Sequence, residues 1–210
     1  MNIASDISSA YLTVSEMALQ FGPVTLLRPL SPEEFDALAA RLPDMAMERD
    51  TNGTTTIMSP VKRGSGRREN RLNFLLNLWN EQHGHGEVYG PNGTYLLPDG
   101  AIKMPDASWI SPERLRHTPA DDESYIQCVP DFVAEIRSQS DRLNHLQEKM
   151  ALTWMANGVR LGWLIDPYER TLWVYRTGRP NPQPVAMAAG QILEAGPEMP
   201  GFEVNLGGFL

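Results

Sequence analysis

Between Pro130 and Gly158 the spacing of apolar residues changes from strand-like alternation to helical spacing, and the rest of the chain is read outward from there. Asp131, Val133, Glu135 and Arg137 alternate with Phe132, Ala134 and Ile136. The β-branched and aromatic members favour an extended chain, and Pro130 suits a strand start. An acid and a base on one face of an otherwise apolar strand are costly to bury, so their presence there calls for a purpose. From Ser138 or Ser140, either of which can cap a helix, the apolar positions fall at Leu143, Leu146, Met150 and Trp154. Lys149 borders that stripe, three residues after Leu146, where its ammonium can reach back toward the strand. Trp154 lies five positions after Lys149; Thr153 holds the fourth.

Elsewhere the pattern predicts elements in quick succession. Ser31-Pro32-Glu33-Glu34 is a helix start with cap, first-turn proline and capping box. Its apolar face is Phe35, Leu38, Ala39 and Leu42, and Pro43 stops it. Strands around Met45–Glu48 and Thr54–Met58 join through Asn52-Gly53 as a hairpin, with Glu48 read as a solvated strand acid. A helix then runs to about His83 with Leu72, Leu75, Leu76 and Trp79 inward and Asn70, Asn73, Asn77 and Asn80 along another face. Glu87–Leu97 reads as a hairpin turning at Pro91-Asn92-Gly93, and Ala101–Asp106 as a strand entered from Pro98-Asp99-Gly100. Residues 111–124 read as a surface loop. Arg160–Asp166 and Thr171–Arg176 read as strands joined by Pro167–Arg170, forming either core or a dimer surface. Residues 178–200 are rich in proline and glycine, and a last strand spans Phe202–Leu206. Residues 1–30 are expected to form a loose arm and 31–210 a single domain, since 210 residues suit one sizeable core.

Composition narrows the partners. A net charge of −8 argues against tight non-specific binding to nucleic acid, which needs many Lys and Arg contacts. Lys62, Arg63, Arg67, Arg68 and Arg71 nonetheless concentrate positive charge, and they are the candidate phosphate-contacting surface. The single cysteine, Cys128, fits a reducing compartment, so a cytoplasmic location is expected. No apolar run is long enough to span a membrane. His83, His85, His117 and His145 lack the spacing of a zinc site.

Candidate chemistry then rests on acids. Asp131 and Glu135 lie about 13 Å apart along one strand at ~3.3 Å per residue, too far to share an ion. Asp106 is the better partner, because a neighbouring strand can set it beside Glu135. Asp106, Glu135 and a lysine, in that order, are the parts of a metal-dependent phosphodiesterase site. The two acids would hold Mg²⁺ or Mn²⁺, hard ions that prefer oxygen ligands. Lys149 is the candidate catalytic base-side residue. Arg137 is a secondary phosphate or carboxylate partner, since a guanidinium stays charged and cannot act as a base. Glu69, in the first turn of its helix, could hold a metal-bound water or serve the helix dipole.

The pieces Pro105-Asp106, Pro130-Asp-Phe-Val-Ala-Glu-Ile-Arg-Ser138, Leu146-Gln-Glu-Lys-Met150 and Gly158-Val-Arg-Leu-Gly-Trp-Leu-Ile-Asp-Pro167 resemble the PD-(D/E)xK nuclease superfamily, and within it the Uma-type branch of restriction-endonuclease-like proteins. Met58-Ser59-Pro60 and Pro200-Gly-Phe-Glu-Val-Asn-Leu206 extend the likeness over roughly residues 28 to 210. The resemblance implies an α/β (α+β) fold: a mixed central β-sheet flanked by helices, restriction-endonuclease-like, with a divalent-metal site that hydrolyses nucleic acid, DNA foremost. Arg137 stands where the superfamily pattern has its lysine, and the branch resembles one that moves the lysine to the next helix, at Lys149. A homodimer is expected, because cutting two strands wants two sites about a two-fold axis. The rival expectation is a nuclease fold without turnover, acting as a nucleic-acid-binding or assembly module; the acidic pI of about 5.0 and Arg137 favour it.

Overall fold

The computed structural model describes residues 12–118 and 123–210. Two compact units emerge, Met1–Val61 and Lys62–Leu210. That division falls 31 residues beyond the end of the expected arm. Within the first unit, Thr13 caps helix α1 (Val14–Phe21) through a capping box with Glu16, so this part of the arm is structured. Strand β1 (Val24–Thr25) and helix α2 (Pro32–Arg41) follow, the latter with the expected Ser31–Glu34 capping box. Strands β2 (Met47–Arg49) and β3 (Thr55–Ile57) form the predicted hairpin, and β1 pairs with β3 on the other side. Glu48 is buried on β2, not solvated.

The second unit opens with α3 (Arg63–Trp79), which continues as a π-helical segment, Asn80–Gly84. Strands β4 (Glu87–Tyr89), β5 (Tyr95–Leu96), β6 (Ile102–Lys103) and β7 (Ala107–Ile110) come next, then a short helix α4 (Pro112–Leu115). The predicted 87–97 hairpin does not form. The turn is there, with Gly93 N–H donating to Gly90 O, but β4 pairs with β7 and β5 pairs with β6. Gly86 permits that choice: a Cβ there would sit 2.1 Å from Ile110 O, so only glycine lets the chain approach β7 so closely.

Strand β8 (Phe132–Ile136) is buried at every position and leads to α5 (Leu143–Glu148), continued by a π-helical segment, Lys149–Met155. Neither candidate serine caps α5. Ser138 N–H donates to Asp141 and the Ser138 and Ser140 hydroxyls bond each other, so the helix begins only after Arg142. Strands β9 (Leu161–Asp166), β10 (Thr171–Arg176) and β11 (Gln183–Ala186) complete one sheet in the order β11-β10-β9-β8-β7-β4, while β12 (Ile192–Glu194) and β13 (Glu203–Asn205) pair apart from it. Only β8 and β9 are parallel; the other neighbours are antiparallel, so the sheet is mixed as expected.

Both faces of this sheet are apolar, which the uninterrupted burial of β8 and β9 requires. Phe132, Ala134, Ile136, Trp163 and Ile165 pack against Leu72, Leu76 and Trp79 of α3 and against the C-terminal Phe202, Val204 and Phe209. Val133, Leu164 and Tyr175 face Met150, Trp154 and Val159. The aromatic strands are therefore core and not a dimer surface. Phe202 closes the first face, stacked on Trp163 at 5.5 Å, edge-on to Phe132 and tilted against Trp79. Replacing it with alanine is expected to cost about 3–5 kcal/mol, as for large aromatic truncations in cores. Urea unfolding checks this; a loss under about 1 kcal/mol would mean that the C-terminal segment is not part of the core.

Candidate active site at paired strand ends

The register of β7 and β8 fixes the site. Ala107 lies opposite Ala134, so one step further sets Asp106 opposite Glu135. Residues directly opposite have Cβ atoms only about 4.5–5.5 Å apart. Asp106 stands at the start of β7 and not at the end of a 101–106 strand, because the preceding strand β6 stops at Lys103 and Pro105 has no N–H for a ladder. Its position is held twice. Asn73 Nδ2 of α3 donates to Asp106 O at 2.9 Å, and Ile136 N–H donates to Asp106 Oδ2 at 2.6 Å.

Glu135 is 4% exposed and its Oε1 takes two donors. Lys149 Nζ lies 2.9 Å away and Trp154 Nε1 donates at 2.7 Å. The π-helical segment explains how residues five apart reach one atom, since its i→i+5 hydrogen bonding widens the turn. In an α-helix, position 153 would come nearer to Lys149's face. Trp154 is further set by the edge of Tyr95, 6.0 Å between ring centres, and Tyr95 in turn bonds Ser108 at 2.7 Å. Lys149 also donates to Met104 O at 3.4 Å, so it bridges the chain entering Asp106 and the acid opposite.

The acids repel one another. Asp106 is partly exposed as a residue, yet burial of its carboxyl is the largest effect raising its pKa well above the usual range. Glu135 and then Glu69 raise it further, while the Ile136 N–H and Lys149 pull it back. Glu69 is buried on α3, and that burial raises its own pKa. Among the described residues no three His, Cys, Asp or Glu side chains gather closely enough to hold a metal ion. Asp106 and Glu135 still fit a hard divalent ion of the Mg²⁺ type, which binds through one or two carboxylates and keeps several waters. Glu69 acts on this pair through its charge.

Other sequence candidates are placed differently. Arg137 Nη1 pairs with the fully buried Asp166 at 2.6 Å, its Nε donates to Asp141 O, and its guanidinium lies over Tyr168. It is a carboxylate partner at the strand end. Of the basic cluster, Arg67 donates to Leu210 O, Arg68 to Phe209 O, and Arg71 lies over the Phe209 ring. These three arginines are engaged by the C-terminal turn (Leu206–Phe209), whereas Lys62 and Arg63 are exposed and unpaired among the described residues. Asp131 is an ion-pair staple far from the site. Its Oδ2 accepts Ser111 N–H, and its Oδ1 lies 3.0 Å from Arg160 and 3.2 Å from Arg114, ion pairs whose geometry falls short of hydrogen bonds. Sequence reasoning missed Asn73, Trp154 and Asp166 as site supports. The asparagine row and the five-residue interval after Lys149 were the visible signals.

A mixed sheet with an acid pair and a lysine on the following helix is the frame of a restriction-endonuclease-like protein. The chain belongs to the Uma2 family, described as "Putative restriction endonuclease", whose pattern matches residues 32–207. A protein from Anabaena variabilis, described as a putative nuclease belonging to DUF820, superposes with a TM-score of 0.68 at 19% identity, over 86% of this chain and 97% of its own. At that identity the likeness concerns the fold. A DrdV–DNA complex aligns over 58% of this chain and 10% of its own at a TM-score of 0.37 and 19% identity, too loosely to bear on the site. No curated protein matches. Among the described residues no helix is long and apolar enough to cross a membrane.

Burial of the Asp106 carboxyl, with the repulsion added to it, predicts a pH signature in metal-free buffer. A carboxyl whose folded pKa is raised contributes stability that is full below its unfolded value and is lost as pH rises through the folded value. Asp106→Asn removes that loss while its amide oxygen can still accept Ile136 N–H. The variant is expected to melt about 2–4 °C higher than the parent at pH 8 with chelator, for roughly 1 kcal/mol, and the gain should shrink toward pH 4. A lower melting temperature at pH 8 would show that ionising Asp106 does not cost the fold stability.

Proposed function

We propose that the chain is a divalent-metal-dependent endonuclease that hydrolyses phosphodiester bonds of nucleic acid. The observation that carries this reading is the Lys149 ammonium, 2.9 Å from the Glu135 carboxylate, which faces Asp106 across the strand pair. Asp106 and Glu135 would hold Mg²⁺ or Mn²⁺; such an ion, when bound, polarises a phosphoryl oxygen and acidifies a water. The remaining work belongs to the chain. Glu135 keeps one oxygen fixed by Lys149 and Trp154, so the acid cannot turn away from Asp106. Lys149, a compact charge on a flexible stem, orients the attacking water or holds charge growing on the phosphoryl oxygens as the new P–O bond forms and the ester P–O bond breaks. Arg137 sets the strand end through Asp166 and does not enter the chemistry. Lys62 and Arg63 remain as exposed phosphate contacts.

DNA as the substrate, a homodimer and a cytoplasmic setting are part of this reading. The family description supports DNA, and cutting both strands asks for two sites about a two-fold axis. Burial of the aromatic strands removes one motive for the dimer without touching the other.

The test is cleavage of mixed single- and double-stranded substrates with Mg²⁺ or Mn²⁺. Lys149→Ala is expected to lose about 10²–10⁴ in rate, as for one catalytic group. Arg137→Ala is expected to lower the melting temperature more than the rate measured below it. Full activity in Lys149→Ala would reverse these roles. A wild type that binds DNA but cuts nothing with either ion would make the protein a binding module.

A further inference from the structure

A second site lies on the sheet face that carries Lys149, toward the other ends of the strands. There Arg160 and Thr177 flank the start of β9 and the end of β10, each four residues, or about 13 Å, from the level of Glu135. They border a cavity of about 520 Å³. That size suits a small molecule and not a protein segment. Its walls are apolar, from Met155, Ala156, Pro180 and Pro182. Gly162 makes room beneath: a Cβ there would stand 2.4 Å from Met150 Cε and 3.4 Å from Tyr175 Cβ.

Two polar features at the cavity are left wholly or partly unused by the fold. Tyr175 is only 6% exposed, yet its hydroxyl has no hydrogen-bond partner among the described residues. That oxygen is not among the fully sealed unsatisfied atoms, so it keeps some access to solvent, and Tyr175 is one of the residues that line the cavity. A hydroxyl without a partner in the protein is left to water or to a ligand that can accept from it. Burial pushes its pKa up to about 12, so it stays a neutral donor. The second feature is charge. Arg114 is spent on Asp131 and on the carbonyls of Val129, Pro130 and Gly158, and Arg176 on Glu198 and Ala195 O. Arg179 lines the cavity as an exposed residue whose guanidinium has no partner among the described residues, and Arg160 commits only Nη1, to Asp131 and Glu113.

We propose that this cavity is a second ligand site, separate from the carboxylate pair, for a small organic anion with a flat apolar body. The anionic group pairs with Arg179 and Arg160, the body lies against Met155 and the Tyr175 ring, and the Tyr175 hydroxyl bonds a polar edge of the ligand. A mononucleotide and an aromatic carboxylate share this chemistry, and the probes below tell them apart.

The experiment is calorimetric titration of the full chain, with chelator present, by dAMP, by indole-3-acetate and by inorganic phosphate. At least one organic anion should bind with a single saturating site, and inorganic phosphate at least about tenfold more weakly. Arg179→Ala should weaken binding about tenfold or more and Tyr175→Phe about threefold to tenfold, the ranges of a charged and a neutral hydrogen bond. Neither change removes a contact that the fold uses, so both variants should fold. Asp106→Asn should bind as the parent does. Saturation by dAMP alone assigns a nucleotide, and by indole-3-acetate alone a carboxylate. The proposal is overturned by no binding of either at about 10 mM, by equal affinity for inorganic phosphate, by full affinity in both cavity variants, or by loss of binding in Asp106→Asn.

Discussion

Two carboxylates held face to face across a strand pair are the constraint on which the rest of this structure turns. The β7–β8 register forces Asp106 and Glu135 together, and a third acid, Glu69, adds to the field. Protein surroundings weaken screening, so such a pair needs donors and opposite charge close by. The chain provides them from three directions: Ile136 N–H to Asp106, the Trp154 indole to Glu135, and the Lys149 ammonium to Glu135. These donors offset only part of the load: burial of the Asp106 carboxyl first, then Glu135 and Glu69, hold its pKa above the usual range. An arrangement that leaves acids in conflict is a poor way to stabilise a sheet and a good way to hold a cation.

The π-helical segment is the local device that makes the compensation possible. Lys149 and Trp154 are five apart, and only a widened turn brings both to one oxygen. Such segments carry poorer backbone hydrogen bonding than an α-helix and collect at functional sites. Here the widened turn also carries Met150 and Met155 over Gly162, so one deformation serves both the acid pair and the packing beside the second cavity.

Much of this was legible in the chain itself. Alternation placed β8 and its acid, the Ser31 box placed α2, and Asn52-Gly53 placed the first hairpin, because each signal is local. The partner of Glu135 was legible as a type of residue on a neighbouring strand, although the strand boundary around Pro105 was displaced. What stayed hidden depended on distant chain. Arg67 and Arg68 of α3 are claimed by carbonyls more than 140 residues away, and Asp166 claims Arg137 from the end of another strand. Strand partners of β4 and β5 likewise follow from a backbone approach at Gly86 that no periodicity announces.

The central claim is that Asp106 and Glu135 together hold a divalent cation. It is tested most directly by titrating Mn²⁺ into metal-free protein at pH 7.5 and following the free ion by electron paramagnetic resonance. The wild type should show a saturable site, and Glu135→Gln should weaken it by more than about tenfold, at least as much as losing an outer-shell support. Equal Mn²⁺ binding in the variant, or none in the folded wild type, would contradict the account.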